Sequence, residues 1–303
     1  MRPELILPLT TPLDRKGNVD RAALIDNVAA YAGLGVDGFV LAGSTGEAAA
    51  LTDDERVELV SAVRGVVPSD ARLVAGTGRE STRATVALSR RAAQAGADEL
   101  LVLTPYYFRA RMTAQAIASH YRAVADACAA PLILYSMPAV TGLTIPASVV
   151  GELSREPRIV GLKDSSGDVS ALEASLGAAE PGFRVYCGHG GAFAASVAAG
   201  ASGGVLAAAC IVPEVYIAMR DHLAAGRDRD AASLQRSVSP FVESVVVEHG
   251  VAGVKAAIEL RGLSGGDPRP PLMPVDEPTR NAIGRELAGL VASGLVASVE
   301  IGR

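Results

Sequence analysis

The sequence predicts an α/β protein, a (β/α)8 TIM barrel with a C-terminal helical extension, and three observations predict it. Short apolar or β-branched runs recur about every 20 to 35 residues, which leaves room for one helix between each pair. The segments between them carry apolar residues at helical spacing and open on capping side chains. The runs number eight, the count of a closed barrel of strand and helix units.

Taken in order, "LILPLT" (5–10) is the first strand, and after a polar turn "DRAALIDNVAAYAGLG" is a helix opening on Asp20. "GFVLAG" (38–43) leads to "TDDERVELVSAVRGVV", capped by Thr52, and "RLVAGTG" (72–78) leads to "STRATVALSRRAAQAG", capped by Ser81. "ELLVLTP" (99–105) leads to "TAQAIASHYRAVADAC", capped by Thr113. "PLILYSMP" (131–138), "IVGLKDS" (159–165), "RVYCGHG" (184–190) and "GGVLAAA" (203–209) complete the eight. Gly35 and Gly96 close helices before the next strand, and "GVDGFVL" and "GADELLV" echo one another from unit to unit.

About 90 residues follow the eighth strand, more than one barrel helix needs. They contain "PEVYIAMRDHLAAG", "DAASLQRSVSPFVESVVVEHG", "VAGVKAAIEL" and "EPTRNAIGRELAGLVAS", all helical in pattern. The expected division is a catalytic barrel over 1–225 and a helical extension packed on it over 226–303. No linker precedes the tail, so a doubly wound two-domain arrangement is the weaker alternative.

Composition narrows the function classes. An apolar share of 49% and a charged share of 20% fit a compact protein with a large core. A net charge of −5 gives no basic footprint for nucleic acid, and no run of about 18 uncharged apolar residues offers a membrane span. The opening "MRPELILPLTTPLDRKG" is broken by proline and acidic residues and reads as the mature start of a cytoplasmic protein. Cys128, Cys187 and Cys210 are odd in number and lack CxxC spacing, which suggests small core residues. His120, His189, His222 and His249 are scattered outside any metal motif, so the expected chemistry is metal-independent.

Active sites of such barrels lie at the C-terminal ends of the strands. That rule selects "GSTGE" (43–47), "TPYYF" (104–108), "YSMP" (135–138), Lys163 and "GHGG" (188–191). Lys163 stands out because the chain strongly prefers arginine: its other lysines are Lys16 and Lys255. An amine can lose its proton and attack a ketone to give an imine, whereas a guanidinium stays protonated. The competing role is an ion pair with Asp164, which is awkward because adjacent strand residues face opposite ways. Lys16, in a polar turn, and Lys255, in a tail helix, are expected to be structural or surface residues.

The other candidates each carry an ordinary alternative. "GSTGE" offers two hydroxyls and flexible amides for a carboxylate, or merely a helix cap. Tyr135 can shuttle a proton, or simply pack in the core. Tyr106 and Tyr107 raise the same question with interface packing as the alternative. "GHGG" could instead hold phosphate, the basis of a distant isomerase alternative.

In this order and spacing, "TTPLD…GNVD", "GSTGEAAALTDDER", "VAGTG…ST", "TPYYF", "LYSMPAVTGL", "GLKDSSGD" and "GHGGAF" resemble the dihydrodipicolinate synthase and N-acetylneuraminate lyase superfamily of pyruvate-dependent class I aldolases, over roughly residues 5 to 290. The resemblance implies roles for individual residues. Lys163 would form the imine with pyruvate or another 2-oxo acid, with no cofactor beyond that covalent bond. Tyr135 would be its general acid and base, and Ser44 with Thr45 would bind the carboxylate and support proton relay. Tyr107 would reach a neighbouring subunit's site in a homo-oligomer, a dimer of dimers. Gly188 and Val205 would line the site beside the lysine.

Departures bear on the substrate. The family's dihydrodipicolinate synthases usually carry an arginine that holds a substrate carboxylate where this chain has Val140. A valine cannot fork onto a carboxylate, which argues against aspartate semialdehyde as partner. "LYSMPAVTGLTIP" and "VGLKDSSGDVS" look most like the 4-hydroxy-2-oxoglutarate aldolase branch, although that branch often has Asn at the place of Thr45. Ser165 matches a serine of that branch and is expected to touch the distal part of the substrate. Arg109 and Arg111 are candidates to attract a second carboxylate, with solvated surface arginines as the alternative. The expected activity is therefore cleavage of 4-hydroxy-2-oxoglutarate to pyruvate and glyoxylate. The alternatives are dihydrodipicolinate synthesis, another lyase or dehydratase such as N-acetylneuraminate lyase or 2-keto-3-deoxygluconate aldolase, and a catalytically silent 2-oxo acid binding protein.

Overall fold

The computed structural model describes residues 2–297. Eight strands run in parallel and in chain order around a closed barrel: β1 (Glu4–Pro8), β2 (Gly38–Leu41), β3 (Arg72–Gly76), β4 (Glu99–Leu103), β5 (Leu132–Ser136), β6 (Ile159–Asp164), β7 (Arg184–Cys187) and β8 (Gly203–Val205). Each expected strand is present, and each ends one to four residues before its apolar run does. Those last residues turn away into the loops that form the barrel mouth.

The helices between the strands are α1 (Arg21–Ala32), α2 (Asp53–Val63), α3 (Thr82–Gln94), α4 (Ala114–Ala127), the short α5 (Pro138–Thr141) and α6 (Ala147–Leu153), α7 (Val169–Ala178) and α8 (Phe193–Ala198). Asp20, Thr52, Ser81 and Thr113 cap the first four as expected, each accepting from an amide of the first turn. Thr52 and Glu55 complete a capping box. After β8 come α9 (Pro213–Ala224), α10 (Asp228–Phe241), α11 (Gly250–Leu260) and α12 (Glu277–Ala292).

One expected helix is interrupted. The stretch 230–250 is α10 followed by a π-helical segment, Val242–Val247. Pro240, inside α10, lacks the amide that would bond one turn back, and the ladder readjusts just beyond it.

Strand periodicity separates two cores. Ile6, Val40, Val74, Leu101, Ile133, Tyr135, Tyr186 and Val205 point into the barrel, whereas Leu5, Leu7, Leu100, Val102, Leu134 and Leu162 face the helices. Both faces are buried, which is why the strands read as continuous apolar runs. Burying each such side chain stabilises the fold by about 1.5–3 kcal/mol. The N-terminal end of the barrel is closed by charge: Arg184 pairs with Glu99 at 2.5 Å, Arg72 pairs with Glu4, and the Tyr186 hydroxyl donates to Glu4 at 2.5 Å. Burial pushes the Glu99 carboxyl up to about 6. The opposite end is left for chemistry.

Candidate active site

The outward Leu162 sets the phase of β6, so Lys163 points into the barrel and Asp164 away from it. Lys163 is 4% exposed, and its Nζ lies 4.3 Å from the centroid of the Tyr135 ring, its register neighbour on β5. Asp164 does not pair with it. Asp164 Oδ1 accepts from the Ser166 amide at 2.7 Å and holds the turn after β6. Among the described residues no carboxylate lies within ion-pair distance of Lys163.

The Tyr135 hydroxyl donates to Met137 Sδ at 2.9 Å and lies 3.4 Å from Ser44 Oγ, which itself reaches Met137 Sδ at 3.3 Å. Groups from β5, from Met137 just beyond it and from the loop after β2 therefore meet at the Tyr135 hydroxyl. Met137 lies within the selected "YSMP" stretch, although no role was expected of it. A cavity of about 440 Å³ opens at the ends of β2, β3 and β4, and Ser44, Thr104, Tyr106 and Tyr135 line it, though Lys163 does not.

Thr45 is half-buried beside Ser44, in a turn closed by the Glu47 and Ala48 amides on the carbonyls of Ser44 and Gly43. The Ser165 hydroxyl is buried without a hydrogen-bond partner. It is directed at Gly188, where a Cβ would lie 2.0 Å from it and 3.0 Å from Lys163 Cε. Only a glycine leaves that space, and Gly188 lies against the lysine side chain. Val205 is buried in the inner barrel with Tyr135.

Two expected site residues stand apart from this group. Val140 is 50% exposed on α5. Tyr107 is 75% exposed, its amide held by Glu80 at 2.8 Å and its ring edge-on to Phe108.

Of the two expectations for Lys255, structural or surface, the structure supports the structural one. Lys255 is fully buried and forms an ion pair with Glu47, the last residue of "GSTGE". The signal was present in the chain's avoidance of lysine, but its partner lies 208 positions away (255 − 47). The "GHGG" turn is occupied with its own support: the Gly190 carbonyl accepts from Tyr216 Oη at 3.0 Å and Gln235 Nε2 at 2.9 Å, and His189 Nδ1 accepts from the Gly191 amide. The three cysteines are free and buried, as expected. Among the described residues no group of three or more His, Cys, Asp or Glu could hold a metal ion, and no helix is long and apolar enough to cross a membrane.

The model of the dihydrodipicolinate synthetase family matches residues 2–289. The chain belongs to this family. It is 39% identical over 288 residues to 4-hydroxy-tetrahydrodipicolinate synthase 1 of Streptomyces coelicolor, covering 94% of this chain and 90% of that one. It is 35% identical over 267 residues to the 4-hydroxy-tetrahydrodipicolinate synthase of an Exiguobacterium species, covering 88% and 90%. Among solved structures, the dihydrodipicolinate synthase of Acinetobacter baumannii complexed with pyruvate superposes with a TM-score of 0.90 at 29% identity, covering 98% and 100%.

Membership in the dihydrodipicolinate synthetase family makes the chain a lyase of the class I aldolase type, a class that works through a lysine imine without metal or external cofactor. The likeness to the 4-hydroxy-2-oxoglutarate aldolase branch is not borne out: these relatives are 4-hydroxy-tetrahydrodipicolinate synthases.

Proposed function

We propose that the chain condenses pyruvate with an aldehyde through an imine at Lys163, as a 4-hydroxy-tetrahydrodipicolinate synthase acting on aspartate semialdehyde. The observation that carries this is a buried lysine without a carboxylate partner, standing over Tyr135, whose hydroxyl adjoins Ser44. The synthases among its relatives support the choice of partner.

In this reading Ser44 and Thr45 hold the pyruvate carboxylate while the Lys163 amine attacks C2. Tyr135 passes a proton to the carbinol oxygen, which leaves as water and gives the protonated imine. The imine draws electrons from C3; Tyr135 takes the C3 proton to give the enamine, whose C3 attacks the aldehyde carbon. The new C–C bond forms, the aldehyde oxygen takes up that proton, and the amino group of the semialdehyde then attacks C2 and displaces the Lys163 amine, which closes the ring and frees the lysine. Ser165, with its unpartnered hydroxyl, and the gap at Gly188 border the bound acid, and Val205 packs beneath it.

Val140 leaves the partner's carboxylate without the arginine that the family resemblance leads one to expect. Arg109 brings a guanidinium to the same turn, its Nη1 3.3 Å from where a Gly142 Cβ would stand. In this reading Arg109 takes over that recognition. The exposed Tyr107 and Phe108 fit burial between subunits of an oligomer, with Tyr107 offered across the interface. The extension from residue 226 is read as a helical unit packed on the barrel.

Borohydride reduction with pyruvate is expected to add a stable mass to Lys163. An unlabelled protein, or a label that survives Lys163→Ala, would overturn the imine. A panel of aspartate semialdehyde, glyoxylate and sugar aldehydes then tests the partner, and turnover with glyoxylate alone would overturn the synthase assignment.

A further inference from the structure

Away from Lys163, two charged residues are as deeply buried as the core. Lys255 on α11 and Glu47 each expose 1% of their side chain, and Nζ lies 2.5 Å from Oε1. Nζ also donates to the Asp267 carbonyl at 3.0 Å, and Glu47 Oε2 accepts from the Arg269 amide at 2.7 Å. The Arg269 guanidinium then forks onto Glu55 at the start of α2, at 2.7 and 2.9 Å. The loop after β2 is thus tied to the C-terminal extension by a chain of charge whose inner pair, Lys255 and Glu47, is sealed from water, while Arg269 and Glu55 are partly exposed.

Such a pair is a poor way to gain stability, because desolvation offsets much of its attraction; its attested use is to specify one arrangement. The backbone indicates which arrangement. Ala42 and Glu47 have φ of 50° and 58°, a left-handed conformation that side-chain-bearing residues rarely adopt. These two strained residues bracket Gly43, Ser44, Thr45 and Gly46. The turn between them is also held from below, where Thr11 Oγ1 donates to the Gly46 carbonyl at 2.8 Å. Strain of this kind persists only where surrounding contacts over-determine it.

We infer that Lys255 and Glu47 are positioning residues: the buried pair holds the strained 42–47 turn so that Ser44 and Thr45 meet the carboxylate of the 2-oxo acid. The inference rests on the carboxylate role assigned to Ser44 and Thr45 above. Glu47 neutralises Lys255, so the pair acts through geometry and not by attracting the acid itself.

Two variants test it. Glu47→Gln keeps the side chain's length and an acceptor for the Arg269 amide. Glu47→Gln combined with Lys255→Met removes both charges, so that neither is left buried alone. The readout is the half-saturating concentration for borohydride trapping at Lys163, with pyruvate and with methyl pyruvate, which lacks the carboxylate charge. In the folded variants the value for pyruvate is expected to rise about tenfold or more, with methyl pyruvate changed less than about twofold and kcat at saturating pyruvate within about threefold. A wild-type protein that traps no pyruvate at Lys163 would overturn the functional reading itself. If the wild type traps pyruvate, the positioning role is overturned by an unchanged pyruvate value or by a parallel rise for acid and ester. It is equally overturned if neither variant folds, since the pair would then serve stability alone.

Discussion

Gly188→Ala measures how closely the site is built around Lys163. The new Cβ would lie 2.0 Å from Ser165 Oγ and 3.0 Å from both Lys163 Cε and the Asp164 carbonyl, against an ordinary separation of about 3.5 Å. The serine can relieve the shortest contact only by leaving its present rotamer, although its hydroxyl has no partner to lose. The other two contacts yield less readily, since the Asp164 carbonyl is bonded to the Gly188 amide at 2.6 Å. Overpacking of this kind costs about 1–3 kcal/mol, so kcat/KM for pyruvate condensation is expected to fall about 5- to 150-fold. Ser165→Ala in the same chain removes the worst contact and should recover at least about fivefold, a coupling of about 1 kcal/mol. The assay is a double-mutant cycle over wild type, both single variants and the pair, with imine trapping and steady-state turnover measured in each. A Gly188→Ala enzyme at the wild-type rate, or two losses that simply add, would refute the packing described for Ser165 and Lys163.

Three further outcomes follow from the same geometry. Tyr135→Phe removes the hydroxyl between Ser44 and Met137 and is expected to lower kcat about a hundredfold or more in steady-state assays; unchanged turnover would take Tyr135 out of the mechanism. His120 on α4 is pulled from 6.5 to about 4 by burial, so the unfolded chain binds the proton more tightly and this group's stability, full above pH 6.5, is lost as pH falls toward 4. His120→Asn retains a partner for Thr82 but does not titrate, so urea unfolding should show wild type losing about 3 kcal/mol against the variant between pH 7 and pH 4; a pH-independent difference would contradict the burial argument. Val140→Arg, at an exposed position of α5, is expected to raise kcat/KM for aspartate semialdehyde about tenfold, and no gain would mean that the partner's carboxylate does not pass this turn.

Much of the architecture was legible because it rests on local rules. Continuous apolar runs marked β1 to β8, and side-chain caps at Asp20, Thr52, Ser81 and Thr113 marked the helix starts. Adjacent residues of a strand face opposite ways, so Lys163 and Asp164 were not expected to pair; which of them faces inward was decided by the packing of Leu162. The break after Pro240 was less visible, since a proline shows where a helix is disturbed but not that it continues as a π turn.

The sequence by itself determined the barrel, the strand that carries the nucleophile and the family, because periodicity, capping and motif order are written in neighbouring residues. Tertiary structure alone decided that Met137 and Ser44 share the Tyr135 hydroxyl, that Ser165 faces Gly188, and that Lys255 is buried against Glu47. These contacts join residues brought together by barrel closure. A lone lysine in a tail helix looks like a surface charge until the fold removes the water around it, and only then does its need for a carboxylate become visible.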